Sequence, residues 1–252
     1  MRAIDFKNAY LNADMNDDVF MVLPREIAER YCKIDHSHTP FLRKDGTLLV
    51  KLDKALYGCR QSSALWYDKL THELKQLGFA QNSEDKCVWS LMRNGSLITV
   101  LFHVDDVLDR CRDSANLDWL STELARVFGE VKEQKGPRLA FLSMALDQQS
   151  DGSVELSMKH LTDEILEGVE GTAASPALAN SFDLDVDSPL LNEERRVFFR
   201  RVVAQMLYLV QRIRPDAYFA TSILTRRVDK ATEQDWQSME RLRKYLNGTR
   251  EL

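Results

Sequence analysis

The sequence has no apolar run approaching the roughly 20 residues that cross a bilayer, and its first residues lack the charged-then-apolar pattern of a secretion signal. Both absences lead to the expectation of an intracellular protein, cytoplasmic or nuclear, with no membrane partner. The four cysteines, Cys32, Cys59, Cys87 and Cys111, form no CxxC pair, so the spacing indicates neither a zinc knuckle nor a disulfide framework. Cys32, His36 and His38 lie close together, but no second ligand cluster follows and a polar loop accounts for them. A net positive charge is also lacking, since 39 acidic residues outnumber 34 lysines and arginines. The formal net charge is −5 over 252 residues, whereas a free-standing nucleic-acid binder draws most of its affinity from a basic surface. Internal repeats and low-complexity tracts are absent. What remains, 44% hydrophobic and 29% charged residues, is the composition of an ordinary globular protein with material for one large core or two small ones.

The richest stretch is residues 87–111. Apolar runs at 87–92 and 97–102 are joined by Asn94-Gly95, the dipeptide that best tolerates the positive φ angles of a two-residue hairpin turn. The second run stops at Asp105-Asp106, and Val107 and Leu108 then suggest a third strand folding back. Two adjacent carboxylates beside a partly buried sheet need either full solvation or a cation. A solvated turn explains such a pair unless another strand supplies a further carboxylate. Two-metal chemistry on phosphates needs acidic oxygens from several segments around ions about 3.5–4 Å apart.

Elsewhere the chain alternates strand and helix signals. Residues 19–24 read as a strand stopped by Pro24, residues 26–40 as a short helix and a loop, and residues 48–52 as a brief strand. Leu65, Trp66, Leu70, Leu74 and Leu77 recur at helical spacing after a cap at Ser62 or Ser63, until Gly78 ends the helix. Its start, with Tyr57, Gly58, Arg60 and Gln61, is expected to be an outward polar edge. A helix over 115–128, a hairpin of 139–146 with 154–158 around Asp151-Gly152, and a helix over 159–169 follow. Residues 171–192 are the most linker-like. Helical patterns over 193–212, 215–228 and 232–246 carry Arg195, Arg196, Arg200, Arg201, Arg226, Arg227, Arg241 and Arg243. These would either line a nucleic-acid duplex or be charged faces balanced by the acids among them.

Three blocks, DFKNAYLN (5–12), KLDKALYGCRQ (51–61) with Trp66, and FHVDDVL (102–108), resemble in order and spacing the reverse transcriptase of copia-type LTR retrotransposons. FLSM (141–144), ASPA (174–177), RVVAQMLYL (201–209), RIRPDAYFA (212–220) and DWQSMERLRKYLNGT (235–249) extend the likeness over essentially the whole chain. The resemblance implies an α+β protein. Its parts would be a palm of antiparallel sheet with helices on one face over 1–136, a hairpin and thumb-like start over 137–170, a linker over 171–192, and a helical thumb or connection region over 193–252. It implies an RNA-directed DNA polymerase working on dNTPs and an RNA or DNA template with primer, with Mg²⁺ or Mn²⁺. Asp5, Asp105 and Asp106 would be catalytic and hold the metals, with the Phe6 backbone carbonyl as a further donor. Tyr10 would reject a 2′-hydroxyl, and Arg60 and Gln61 would meet the nucleotide.

The sequence also departs from the family pattern. His103 stands where tyrosine is usual, Ser62, Ser63 and Ala64 replace a turn containing Ala-Pro, and Ser143 takes a glycine position. Met1 lies four residues before Asp5, so the expectation is a fragment or degraded copy without the fingers segment. The alternative expectation is a catalytically silent remnant that at most binds nucleic acid or protein.

Overall fold

The computed structural model describes residues 1–181, 183 and 185–252, and these form two compact units, Met1–Leu142 and Ser143–Leu252. The protein is mixed α and antiparallel β. No helix among the described residues is long and apolar enough to cross a membrane.

The first unit is built on a six-stranded sheet of order β4-β5-β6-β7-β1-β8. Its strands are β1 (Arg2–Phe6), β4 (Ala80–Gln81), β5 (Val88–Arg93), β6 (Ser96–His103), β7 (Asp106–Arg110) and β8 (Val131–Lys135). Every neighbouring pair is antiparallel. The β5–β6 turn is the one the sequence predicts, with Asn94 at φ 49° and Gly95 at φ 72°, a pair of left-handed residues that matches the twist of the strands. Alternate residues Ile4, Phe6, Ile98, Val100, Phe102 and Val107 face one side and are buried there. On that side lie α2 (Ser62–Gln76), through Trp66, Leu70 and Leu74, and α3 (Ser114–Phe128), through Leu117, Leu120 and Leu124.

Several boundaries differ from expectation. Ser62 does not cap α2: Gln61 is the N-cap residue, and the buried Ser62 hydroxyl donates back to the Leu56 carbonyl at 2.7 Å. Asp113 caps α3 by accepting from the Ala115 amide, so the helix starts one residue earlier than predicted. The strand expected over 139–146 is interrupted. β9 (Arg138–Phe141) and β10 (Met144–Gln148) are separated by Leu142 at φ 48° and Ser143 at φ 64°, and a strand cannot run through left-handed backbone. Strand β8 carries no apolar alternation beyond Val131 and has no counterpart in the sequence reading.

A small two-stranded antiparallel sheet, β2 (Phe20–Leu23) with β3 (Leu48–Lys51), packs on the intervening α1 (Arg25–Ile34) around Ala28, Cys32 and Leu48. Cys32 is thus a core residue, and His38 lies against Tyr31 and Asp35.

In the second unit β10 pairs with β11 (Val154–Ser157), with Gly152 at φ 88° in the turn. The helices are α4 (Lys159–Ile165), α5 (Glu193–Val210), α6 (Tyr218–Thr225) and α7 (Glu233–Gly248). Phe199, Val203, Met206, Met239, Leu242 and Leu246 form their shared core. Asn192 caps α5, and Thr232 with Asp235 forms a capping box on α7. Residues 171–192 contain no helix or strand among the described residues; Phe182 and Leu184 of the expected linker lie outside them.

The arginines read either as a duplex-lining set or as charged faces balanced by acids are largely engaged within the unit. Arg243 is buried and donates to the Ile165 and Glu167 carbonyls at 2.8 and 2.6 Å, closing the C-terminal end of α4. Arg227 pairs with buried Asp235 at 2.8 Å, Arg200 with Asp229, Arg196 with Glu193, and Arg195 with Glu233 while lying over Trp236. Arg201 lies over Phe198, and Arg241 donates to Ser175; Arg226 is exposed.

One charge in the first unit is buried at a cost. Asp109 on β7 is fully buried opposite Arg2, and neither of its carboxylate oxygens has a hydrogen-bond partner. Arg2 directs its guanidinium to Asp118, Ser121, Glu133 and the Ser114 carbonyl instead. Loss of water pushes the Asp109 carboxyl up to about 7, against the partial relief from the Arg2 charge. The folded chain therefore holds a proton that the unfolded chain has released, and this group takes stability away as pH rises from about 4 to about 7. In Asp109→Asn that dependence disappears. Urea unfolding at a series of pH values should show the variant gaining on the parent by about 2–4 kcal/mol across the window; parallel curves would refute the assignment.

Candidate active site

The alternation that buries Arg2, Ile4 and Phe6 of β1 turns Ala3 and Asp5 to the opposite face of the sheet. There Asp5 is the direct cross-strand partner of Asp106 on β7. Such partners have Cβ atoms about 4.5–5.5 Å apart. On the other side of β1 the partner of Asp5 is Lys132 of β8. The residues named from sequence at positions 5 and 106 thus meet although they are a hundred positions apart in the chain.

Asp105 sits beside them in the turn between β6 and β7, where His103 and Asp106 form the closing pair. Val104, the other turn residue, is held at φ 58°, a left-handed conformation that a β-branched residue adopts only under constraint. The constraint comes from α2. The indole N–H of Trp66, itself 1% exposed, donates to the Val104 carbonyl at 2.6 Å. The Asp105 side chain is held from the same segment, since the Tyr57 hydroxyl donates to its Oδ2 at 3.1 Å. The Tyr57 ring in turn stands 4.4 Å from that of Tyr10, at 42°. Asp105, Tyr57 and Tyr10 thus form one continuous chain of contacts.

The electrostatics agree with three acids near one another. The Asp106 carboxyl is raised above the usual carboxylate range, first by loss of water and then by the charges of Asp105 and Asp5, with His103 pulling weakly the other way. The Tyr57 hydroxyl is pushed up to about 12 by loss of water and by its bond to Asp105. A shallow hollow of about 210 Å³ lies on this face, lined by Asp5, Asp106, Lys132, Gln134, Ala140 and Phe141 among others.

The donor set is of the kind a hard divalent cation takes: carboxylate oxygens from two strands and a turn, with Lys132 beside them in the same hollow. Among the described residues, though, no three Asp, Glu, His or Cys side chains are gathered closely enough to enclose an ion as they stand. Of the other residues named from sequence, the Phe6 ring is buried against Trp66 and Phe128, at centroid distances of 5.2 and 5.1 Å. Arg60 is exposed just before α2, and the Gln61 amide reaches Asp17 and Met15, at 3.4 and 3.5 Å, rather than any of the three aspartates. Sequence reasoning missed the site contacts of Tyr57 and Trp66. Tyr57 read as part of a polar edge and Trp66 as a core residue of an amphipathic helix, and neither pattern discloses a polar bond to a distant turn.

A profile of the family described as reverse transcriptase (RNA-dependent DNA polymerase) matches residues 1–180, and the chain belongs to that family. The Pol polyprotein from transposon RE2 of Arabidopsis thaliana is 28% identical over 253 residues, covering 99% of this chain and 16% of the polyprotein. That from transposon TNT 1-94 of Nicotiana tabacum is 25% identical over 258 residues, 98% of this chain and 18% of the polyprotein. The chain is accordingly a reverse transcriptase region of the copia type, and it spans a small part of the length of these relatives. A telomerase from Candida albicans, solved with a fragment of telomeric RNA, aligns over 94% of this chain and 43% of its own at 12% identity, with a TM-score of 0.32.

The fastening of the turn can be tested without any substrate. Trp66→Phe keeps an aromatic ring but strands the Val104 carbonyl and leaves a small void. A loss of about 2–4 kcal/mol in urea unfolding with an unchanged m-value is expected; a loss below ~0.5 kcal/mol would mean the bond contributes nothing.

Proposed function

We propose that the chain is the core of an RNA-directed DNA polymerase that adds dNTPs to a primer on an RNA or DNA template. Residues 1–136 are its palm, 137–170 a hairpin and thumb-like start, 171–192 a linker, and 193–252 a helical thumb or connection region. The observation that carries this reading is the cross-strand pairing of Asp5 with Asp106 beside the turn that bears Asp105. Mg²⁺ or Mn²⁺, when bound, lowers the pKa of a primer 3′-hydroxyl and offsets the charge that develops on the transferred phosphoryl group.

The chain's own residues then have separate tasks. Asp5 and Asp105 are the direct metal ligands, the Phe6 backbone carbonyl is a further donor, and Asp106 supports them. Tyr10 lies under the nucleotide sugar, where a flat rigid ring excludes a 2′-hydroxyl. The Arg60 guanidinium meets a phosphate. Gln61 lies beside the incoming nucleotide, exchanging its long bond to Asp17 for one to substrate.

One observation favours a second reading, a silent remnant that at most binds nucleic acid or protein: the three carboxylates do not yet converge. Primer extension on an RNA template separates the two. The polymerase reading requires metal-dependent extension that falls by at least about 100-fold in Asp105→Asn and in Asp5→Asn. Absence of extension by the parent chain supports the remnant. If the chain extends, Tyr10→Ala should raise ribonucleotide insertion relative to deoxyribonucleotide by about tenfold or more, and unchanged discrimination would remove Tyr10 from its role.

A further inference from the structure

The two arginines of α7 differ in how their charge is met. Arg243 pairs with Glu240 at 2.7 Å, whereas Arg241 has no carboxylate within ion-pair distance among the described residues. Arg241 is half-buried, its Nε is buried without a partner, and its Nη2 donates to a neutral oxygen, the Ser175 hydroxyl, at 3.0 Å. Lys244, three residues on, is exposed and also lacks an acid among the described residues. Both cations line a hollow of about 720 Å³ with Thr172 and Trp236, and the acid there, Glu240, is already taken by Arg243. Ser175 belongs to a segment that descends α7 from its last turn to its first. The Gly171 carbonyl accepts from the Asn247 amide group at 3.0 Å, the Ala173 amide donates to the Lys244 carbonyl at 3.2 Å, the Ser181 carbonyl accepts from the Ser238 hydroxyl at 3.5 Å, and the Ser188 hydroxyl accepts from the Gln234 backbone amide at 3.1 Å. These are individually weak surface bonds, and Leu178 and Leu190 are exposed, so the segment is held loosely.

We propose that Ser175 is a phosphorylation site and that Arg241 and Lys244 receive its phosphate, fastening residues 171–181 to α7. Ser175 precedes Pro176 in a stretch without helix or strand, the form in which proline-directed serine kinases take their substrates. In the modifying step the Ser175 Oγ attacks the γ-phosphorus of ATP, the new O–P bond replaces the bond to ADP, and the hydroxyl proton passes to a base of the kinase. The product carries a charge of about −1.5 to −2 and three acceptor oxygens. It stands beside a guanidinium that until then bonds only a neutral oxygen on this side, and charge-assisted bonds are roughly twice as strong as neutral ones. The bond given up, from the Ser175 hydroxyl to the Ala177 carbonyl at 2.9 Å, is a neutral one. Ser188 also precedes a proline, but it follows Asp185 and Asp187 and bonds at the first turn of α7, which carries Glu233 and Asp235, so a phosphate there meets like charge. A nucleic-acid backbone is another source of phosphate for these cations. The Ser175 hydroxyl already rests on the guanidinium, however, and a strand would first have to lift the segment away.

Incubation of the full chain with ATP and a proline-directed serine kinase, followed by peptide mass spectrometry, should place phosphate on Ser175. Modification confined to Ser188, or none at all, overturns the site. The receiving cations are tested on full chain with phosphoserine installed at position 175, in the parent and in Arg241→Gln; thermal unfolding of unphosphorylated Arg241→Gln within about 3 °C of the parent verifies that the variant is folded. The second pKa of the phosphoserine, ordinarily about 6, is read by phosphorus NMR. It should fall by about one unit in the parent and return to its ordinary value in Arg241→Gln. Amide exchange over residues 172–181 should slow by about tenfold on phosphorylation of the parent and not of the variant. An unshifted phosphate with unchanged exchange overturns the role of Arg241 and Lys244. A short RNA–DNA duplex that binds the parent and the phosphorylated chain alike, and loses about tenfold in affinity in Arg241→Gln, assigns these cations to a phosphodiester backbone and overturns the proposal as well.

Discussion

The register between β1 and β7 is the constraint on which the rest of the first unit depends. Ile4 and Phe6 are 1% and 2% exposed on the helix-bearing face, and each such side chain is worth about 1.5–3 kcal/mol in burial. A slip of one residue would bring them to solvent and turn Asp5 toward Trp66 and Leu120. The apolar residues therefore fix where the acid stands. Arg2 reinforces the arrangement from the same strand, since its guanidinium reaches α3 and β8 together and would have no equivalent partners on the other face.

The second requirement is that a strained turn stay strained. Val104 has left-handed backbone that its branched side chain resists, and the strain persists because surrounding bonds over-determine it. Trp66 provides one of them from α2. The short block from Lys51 to Trp66 thus works as a clamp as well as a helix start, which gives a physical reason for its position between the two acidic segments of the chain.

The sequence disclosed these features unevenly. Asn94-Gly95 and the runs on either side of it were legible because turn chemistry and apolar content agree locally. The helix through Trp66 and Leu74 was legible for the same reason. Strand β8 was not, because Lys132, Glu133, Gln134 and Lys135 have little strand propensity, and what makes them a strand is the ladder offered by β1. The arginines of the second unit read as a charged stripe because spacing along a helix says nothing of partners from other segments. Arg243 bonds to carbonyls 76 and 78 positions away, and Arg195 to a helix 38 positions on. At the site, Asp105-Asp106 stood out as a charged turn between apolar runs and Asp5 only through a family likeness, since the sheet register that pairs Asp5 with Asp106 joins segments a hundred positions apart. Ser143 departs from the glycine expected there, yet its φ of 64° is a conformation that glycine adopts without strain, so the backbone retains a shape the side chain does not favour.

The composition of β8 and the brevity of β4 have a consequence for the molecule among its neighbours. These strands flank the sheet, one studded with lysines and a glutamate, the other two residues long. Neither offers a flat, uncharged row of amides on which a foreign peptide could lay itself down. The borders of this sheet are poor templates for a further strand, and the same lysine-rich strand completes the hollow beside Asp5.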